Sequence, residues 1–98
     1  MVKSIRYEWD SQKNFANQLK HSLSFDDILS VFDDQNALST NDEKHSGIQE
    51  DRWLTLGRTV LGIVCIVVHT ERIDKNIQII RIISARRATK REEMQYYV

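Results

Sequence analysis

Two long apolar segments in the C-terminal half constrain the fold of this chain more than any other feature. They are Val60 to Thr70 and Ile77 to Ala85, and each contains few polar residues. Since such strands are typical of the covered interior of a sheet, the two segments predict its centre. The polar segment between them, Glu71 to Asn76, is short enough for a hairpin, and we therefore expect antiparallel neighbours.

Basic residues accompany both segments. Arg72 follows the first segment and Arg81 interrupts the second, and four more cations follow the second segment: Arg86, Arg87, Lys90 and Arg91. Guanidinium groups bind phosphate oxygens in pairs and stay charged at every relevant pH. The cluster therefore indicates a phosphate-containing ligand, with solvated surface charge as the alternative.

Arg81 lies in an isoleucine-rich row. A buried guanidinium is costly unless it is paired, and the candidate partners are Glu8, Asp10 and Glu71. Alternation along the strand places Arg81 and Arg86 on opposite faces.

The N-terminal third predicts a strand followed by two helices. Ile5, Tyr7 and Trp9 alternate with charged residues, which is typical of a short outer strand. A helix over 11–21 follows, capped by Asp10 or Ser11. Its apolar residues at helical spacing should face the core: Phe15, Ala16 and Leu19.

The second helix begins at Ser24 and ends near Asp33 and Asp34. It should bury a stripe at helical spacing, composed of Phe25, Ile28, Leu29 and Phe32. A brief strand is predicted at Asn36 to Ser39 and a longer one at Gln49 to Arg58. Finally, Thr89 and Glu92 form a capping box that starts a C-terminal helix through about Tyr96.

This order of elements indicates one α+β domain spanning residues 1–98. Two N-terminal helices and a C-terminal helix should pack against a mostly antiparallel, roughly four-stranded sheet. The longest apolar run is too short for a membrane span. Since no apolar leader is evident and the single Cys65 cannot form an internal disulfide, we expect a cytoplasmic protein.

The charge distribution is asymmetric although the net charge is zero. Residues 1–51 have a net charge of −5, and residues 72–98 have a net charge of +4. Either the two halves neutralise each other within the fold, or the basic side faces a polyanion.

The end of the first long segment is a candidate catalytic edge. His69 and Glu71 share one face of the strand, and Thr70 and Arg72 share the other. A hydrogen-bonded structural role for His69 is the alternative. The three histidines lie in separate elements and the one cysteine lies in an apolar strand, so neither a metal site nor a cofactor is expected.

Several motifs in order resemble the BrnT ribonuclease toxins of bacterial type II toxin-antitoxin systems. These motifs are YEWD, SQKNFANQLKH, SFDDILSVFDD, DEKHS, RWLTLG, VVHTER and IIRIISARRATKREEMQYY. The resemblance implies a small α+β fold similar to RelE-type ribonucleases and a bacterial endoribonuclease that inhibits translation and growth. It also implies a hetero-oligomer with a BrnA-like antitoxin, a DNA-binding protein through which any contact with DNA would be indirect.

The resemblance places the family's basic site residues at Lys13, Arg72, Arg86 and Lys90. His69 and Glu71 match a His-Thr-Glu-Arg form found in part of the family, and either is a candidate general base. The phosphate-binding candidates are Arg81, Arg87 and Arg91.

A metal-independent mechanism fits these residues. The ribose 2′-hydroxyl would attack the adjacent phosphate while Arg72 and Arg86 stabilise its charge, and Lys13 or Lys90 would position the RNA or assist the leaving oxygen. This hypothesis requires the guanidinium groups of Arg72 and Arg86 to reach one phosphodiester.

Two non-enzymatic functions are alternatives. A non-catalytic RNA-binding module would use Trp9, Trp53 or Tyr96 as stacking surfaces and would bind RNA without cleaving it. A protein-interaction module whose charges pair only internally would do neither.

Overall fold

A five-stranded mixed sheet organises the protein, whose computed structural model describes residues 4–47 and 50–98. The strand order is β1-β5-β4-β3-β2, with β1 parallel to β5 and the other three pairings antiparallel. The strands are β1 (Ser4–Trp9), β2 (Leu38–Asn41), β3 (Asp51–Arg58), β4 (Val64–Asp74) and β5 (Ile77–Arg87). The helices are α1 (Ser11–His21), α2 (Phe25–Ile28, continued by a 3₁₀ turn over Leu29–Asp33) and α3 (Lys90–Tyr97).

The predicted α+β class is confirmed, but two details were wrong. The sheet has five strands instead of about four, and the second helix is a single α-turn followed by 3₁₀ structure. The predicted start of β3 at Gln49 lies outside the described residues. No helix of the described residues is long and apolar enough to cross a membrane.

The two apolar segments form β4 and β5, which are antiparallel neighbours as predicted. The predicted start of β4 at Val60 was four residues too early, because 59–63 form a turn. The Thr59 N–H donates to the Ile63 carbonyl at 2.9 Å, and Gly62 adopts a positive φ of 86°. The hairpin turn contains Lys75 and Asn76, both with positive φ, as a two-residue hairpin requires.

The hydrophobic core lies on the sheet face that packs against α2. Its fully or nearly fully buried residues are Leu23, Phe25, Ile28, Val31, Cys65, Val67, Ile80, Ile82 and Ala85. Ser24 caps α2 as predicted, accepting the Asp27 N–H at 3.2 Å. Burial of one large side chain such as Phe25 stabilises the fold by about 1.5–3 kcal/mol.

The orientation of α1 differs from the prediction. Asp10 caps the helix, but Phe15 and Leu19 are 60% and 75% exposed instead of facing the core. The buried residue is Asn17, whose amide donates to the Leu23 carbonyl at 2.9 Å and accepts the Ala85 N–H at 3.1 Å. Because β1 ends beside Ile82, the Ala85 N–H has no strand partner on that edge, and Asn17 satisfies it.

A β-bulge in β5 changes which side chains share a face. Val68 pairs with Ser84 and His69 pairs with Ile82, so Ile83 is an extra residue. One extra residue reverses the alternation beyond it. Arg81 and Arg86 therefore lie on the same face, and the prediction of opposite faces was wrong.

Candidate nucleic-acid interface

Five arginines share the sheet face opposite α2. Cross-strand pairing aligns Arg6, Ile79 and Arg72 in one row. A neighbouring row on the same face contains Glu8, Arg81, Thr70 and Arg52. Paired residues point to the same side of a sheet. We call this surface the arginine face, and its arginines are Arg6, Arg52, Arg72, Arg81 and Arg86.

Two of these arginines converge on one carboxylate oxygen. Nη1 of Arg72 donates to Oε1 of Glu8 at 3.1 Å, and Nη1 of Arg81 donates to the same oxygen at 3.3 Å. The three side chains are between 31% and 41% exposed, so solvent reaches them. The hydrogen bond from Arg72 is the largest cause that holds the pKa of Glu8 below its usual value. We call Glu8, Arg72 and Arg81 the arginine–glutamate cluster.

Arg81 pairs with Glu8, one of its three predicted candidate partners, although its side chain is 41% exposed and not buried. Glu8 was predicted only as a partner of Arg81, and its contact with Arg72 was not predicted. The alternation of Tyr7 and Trp9 could have placed Glu8 on the face away from the core. Arg72 also contacts Glu8 because β5 lies between β1 and β4 in the sheet. The local sequence pattern does not predict this strand order.

Arg86 lies near the opposite end of β5 and binds a different glutamate. Its Nη1 and Nη2 donate to the two carboxylate oxygens of Glu92 at 2.8 and 2.9 Å. Glu92 Oε1 also accepts the Thr89 N–H at 2.8 Å, which completes the predicted capping box of α3. These hydrogen bonds, from Arg86 first and then from Thr89, lower the pKa of Glu92 to about 2.

The structure does not bring Arg72 and Arg86 together. Arg72 pairs with Ile79, and seven residues of β5 separate that position from Arg86, which corresponds to roughly 20 Å along the strand. Arg72 is also turned toward Glu8 and Glu50, whereas Arg86 is turned toward Glu92. The expectation that both bind one phosphodiester is therefore wrong.

Further cations surround Arg86. Arg87, Lys90 and Arg91 are exposed, and within 4–47 and 50–98 they form no salt bridge. Lys13 is exposed on α1 and lines a shallow cavity with Ser84, two residues before Arg86. We call Arg86, Arg87, Lys90 and Arg91 the basic end.

His69 is buried on the core face, away from the arginines. Its side chain is 1% exposed and packs edge-on against Phe32, with ring centroids 4.9 Å apart. Nε2 lies 2.7 Å from the Thr55 hydroxyl oxygen, and Nδ1 lies 3.4 Å from Oε2 of Glu71. Burial lowers the pKa of His69 to about 4, so the ring is neutral at pH 7.

Glu71 lines a cavity of about 360 Å³ at the end of the sheet, and burial is the largest cause that raises its pKa. The other lining residues are Glu50, Asp51, Trp53, Arg72, Ile73 and Gln78. With three carboxylates and one guanidinium, this cavity disfavours a phosphate. No group of three or more metal-ligating side chains occurs in the part of the chain that the structure describes.

The comparison with protein families gives one match. Residues 9–92 match the model of a family described as "Ribonuclease toxin, BrnT, of type II toxin-antitoxin system". No curated protein sequence matches the chain. The matched range includes Arg72, Arg81 and the whole basic end, whereas Glu8 lies one residue before it.

Proposed function

The chain belongs to the BrnT family of ribonuclease toxins of type II toxin-antitoxin systems, and we propose that it cleaves RNA at the arginine–glutamate cluster without a metal ion. One observation supports this position above all others: Arg72 and Arg81 already place two N–H donors, 3.1 and 3.3 Å away, on a single carboxylate oxygen. A phosphodiester oxygen is a similar acceptor, and guanidinium groups bind it with similar geometry.

In the proposed reaction the ribose 2′-oxygen attacks the adjacent phosphorus and the bond from phosphorus to the 5′-oxygen breaks. Arg72 and Arg81 stabilise the negative charge that accumulates on the non-bridging oxygens. The 5′-oxygen takes a proton from water, which reaches this part-exposed surface.

Glu8 is the carboxylate placed to accept the 2′-hydroxyl proton. It is ionised at neutral pH because the arginines lower its pKa. When a phosphate shares those arginines, their hydrogen bonds to Glu8 weaken and its basicity rises. His69 and Glu71 were the earlier candidates for this base, but both lie on the other face, and His69 is buried.

The basic end binds the RNA chain beyond the scissile phosphate. Arg86 lies on the arginine face about five residues along β5 from Arg81, a distance of roughly 15 Å. An extended RNA strand that crosses this face would meet Arg86 several phosphates away, and Arg87, Lys90, Arg91 and Lys13 would add electrostatic attraction at that end. These residues position the substrate and do not act on the reacting atoms.

The biological setting follows from the family. The toxin would act in the bacterial cytoplasm, where RNA cleavage inhibits translation and growth. A BrnA-like antitoxin would bind it and suppress this activity.

The test is cleavage of an RNA oligonucleotide by the purified toxin. We expect cleavage in EDTA, and no cleavage at a position whose 2′-hydroxyl is replaced by hydrogen, because that hydroxyl is the nucleophile. Arg72→Ala and Arg81→Ala should each lower kcat by about 10²–10³, as loss of one charge-stabilising donor typically does.

Lys44→Ala is the matched control, since it also removes an exposed cation but lies far from β5 in the loop after β2. It should cleave at the wild-type rate. Salt-sensitive RNA binding without cleavage would instead identify a non-catalytic RNA-binding module. Cleavage of the 2′-deoxy substrate would exclude the proposed chemistry.

A further inference from the structure

Two large apolar side chains lie on the exposed side of α1, whereas polar side chains anchor the helix to the rest of the protein. Asn17 binds the Leu23 carbonyl and the Ala85 N–H, and Asn14 accepts the Phe25 N–H at 2.8 Å. On the outer face Phe15 and Leu19 are 60% and 75% exposed. They are four residues apart and therefore adjacent on one side of the helix.

This arrangement is unlike that of an ordinary surface helix, whose apolar stripe faces the core. The amides attach α1 to the edge of β5, so Phe15 and Leu19 contribute little to the packing of the chain. A pair of large apolar side chains on the outer face of a helix is typical of a contact surface for another protein.

The charges on α1 indicate what kind of protein fits. Residues 11–21 include Lys13, Lys20 and His21 but no acidic residue. Two copies of this helix would bring like charges together, which disfavours self-association through this face. A segment with apolar side chains flanked by carboxylates would match both the stripe and the lysines.

We propose that the exposed stripe of α1, Phe15 and Leu19, is an anchor site for the protein antitoxin, which binds it through an amphipathic, acidic segment. The existence of a protein antitoxin rests on the family membership and not on the proposed cleavage mechanism. Beside this stripe lies a shallow cavity of about 300 Å³, lined in part by Lys13, Lys20 and Ser84, and Ser84 is two residues before Arg86 of the basic end. The bound segment can therefore extend along the cations that we assign to RNA binding.

The test measures binding of the purified protein antitoxin to variants of the toxin. Phe15→Glu with Leu19→Glu should weaken binding by about tenfold or more, because the change removes the anchors and repels acidic residues. The melting temperature and the kcat of RNA cleavage at saturating RNA should stay at wild-type values, since both side chains are exposed and lie away from Arg72 and Arg81. Lys20→Glu alone should weaken binding less.

Val60→Glu with Leu61→Glu is the matched control. These side chains are 87% and 71% exposed in the turn before β4. This variant should bind the antitoxin normally. Undiminished binding by the α1 variant, or loss of binding by the control alone, would overturn the proposal.

Two further outcomes would also overturn it. One is a toxin dimer that the α1 changes dissociate without affecting antitoxin affinity, which would identify a second copy as the occupant. The other is a loss of RNA affinity with unchanged antitoxin affinity, which would assign the stripe to the substrate. Because antitoxin binding is measured directly, the absence of RNA cleavage by the wild-type toxin would count against the proposed function only.

Discussion

Two arginines of β5, Arg81 near the middle of the strand and Arg86 next to its last residue, each contact a glutamate. The two glutamates differ in their separation from these arginines along the sequence. Arg81 binds Glu8, 73 residues away, whereas Arg86 binds Glu92, six residues away. The first contact exists only after β1 has paired with β5. The second forms within one local segment, once the capping box of α3 has closed.

The two glutamates also differ in the hydrogen bonds that their carboxylate oxygens accept. Both oxygens of Glu92 accept hydrogen bonds from Arg86, and Oε1 accepts a third from Thr89. Glu8 uses only Oε1 for its two arginines. A phosphate can share the donors at the arginine–glutamate cluster, whereas at the basic end it must displace a complete bidentate pair. The comparison supports the different roles that we propose for these two groups of arginines.

The largest expected effect is a coupling between Arg72 and Arg81. If both donate to one phosphate, Arg72→Ala with Arg81→Ala should slow cleavage by less than the product of the two single losses, each of about 10²–10³. Arg86→Ala should combine multiplicatively with either change, because it acts at another site. A double-mutant cycle of kcat/KM measures this. If the losses caused by Arg72→Ala and Arg81→Ala simply multiply, the two arginines do not act on one phosphate, and the proposed difference between the arginine–glutamate cluster and the basic end is wrong.

The second effect concerns the pH dependence of the stability, to which the buried His69 and the Glu92 bound to Arg86 contribute in different pH ranges. Burial gives His69 a folded pKa of about 4, below its usual 6.5, so the unfolded chain binds the proton first. This stability is complete above pH 6.5 and is lost as the pH falls toward 4, by an amount on the order of 3 kcal/mol. Glu92, with a pKa of about 2 against 4.5, contributes stability above pH 4.5 that is lost as the pH falls toward 2.

Urea unfolding at several pH values separates the two groups. His69→Gln should flatten the stability profile between pH 6.5 and 4, and Glu92→Gln should flatten it below pH 4.5. A profile that His69→Gln leaves unchanged would show that this ring is not buried in its neutral form.

The smallest effect is expected at the basic end. Arg86→Ala should reduce kcat/KM by about tenfold or less, mainly through weaker RNA binding. In the proposed mechanism Arg86 contacts the RNA backbone and not the reacting phosphate. The slope of log affinity against log salt should fall by about 0.7 for one lost contact with single-stranded RNA. Titrations at several salt concentrations measure this slope. A loss in kcat as large as that of Arg81→Ala would place Arg86 in the reaction itself.

Sequence patterns correctly predicted the elements that depend on local hydrogen bonds and local apolar spacing. The helix over 11–21, the Ser24 cap, the hairpin and the Thr89–Glu92 capping box were all predicted and are confirmed. Of the predicted stripe of α2, Phe25 and Ile28 are fully buried, whereas Leu29 and Phe32 are only partly buried and pack against the core. Local hydrogen bonds and apolar spacing determine such features, and both can be identified within a few residues of sequence.

The orientation of α1 could not be predicted in the same way. Apolar spacing assigned Phe15 and Leu19 to the core, but the free Ala85 N–H at the edge of β5 binds Asn17 and turns that face inward. The need for this hydrogen bond arises only because β1 ends beside Ile82. The hydrogen bond from Ala85 to Asn17 orients the helix in place of the apolar side chains, because leaving a buried N–H without an acceptor costs free energy.

The sequence alone determined that the chain contains two adjacent apolar strands with cations near their ends, and this sufficed to predict a phosphate ligand and the α+β class. Only the tertiary structure decided which cations meet. The parallel pairing of β1 with β5 placed Glu8 between Arg72 and Arg81, and the bulge at Ile83 turned Arg86 to the same face but left it at the other end. Strand order and a single extra residue set these distances, because the spacing of residues along a sheet is fixed only after its strands are paired.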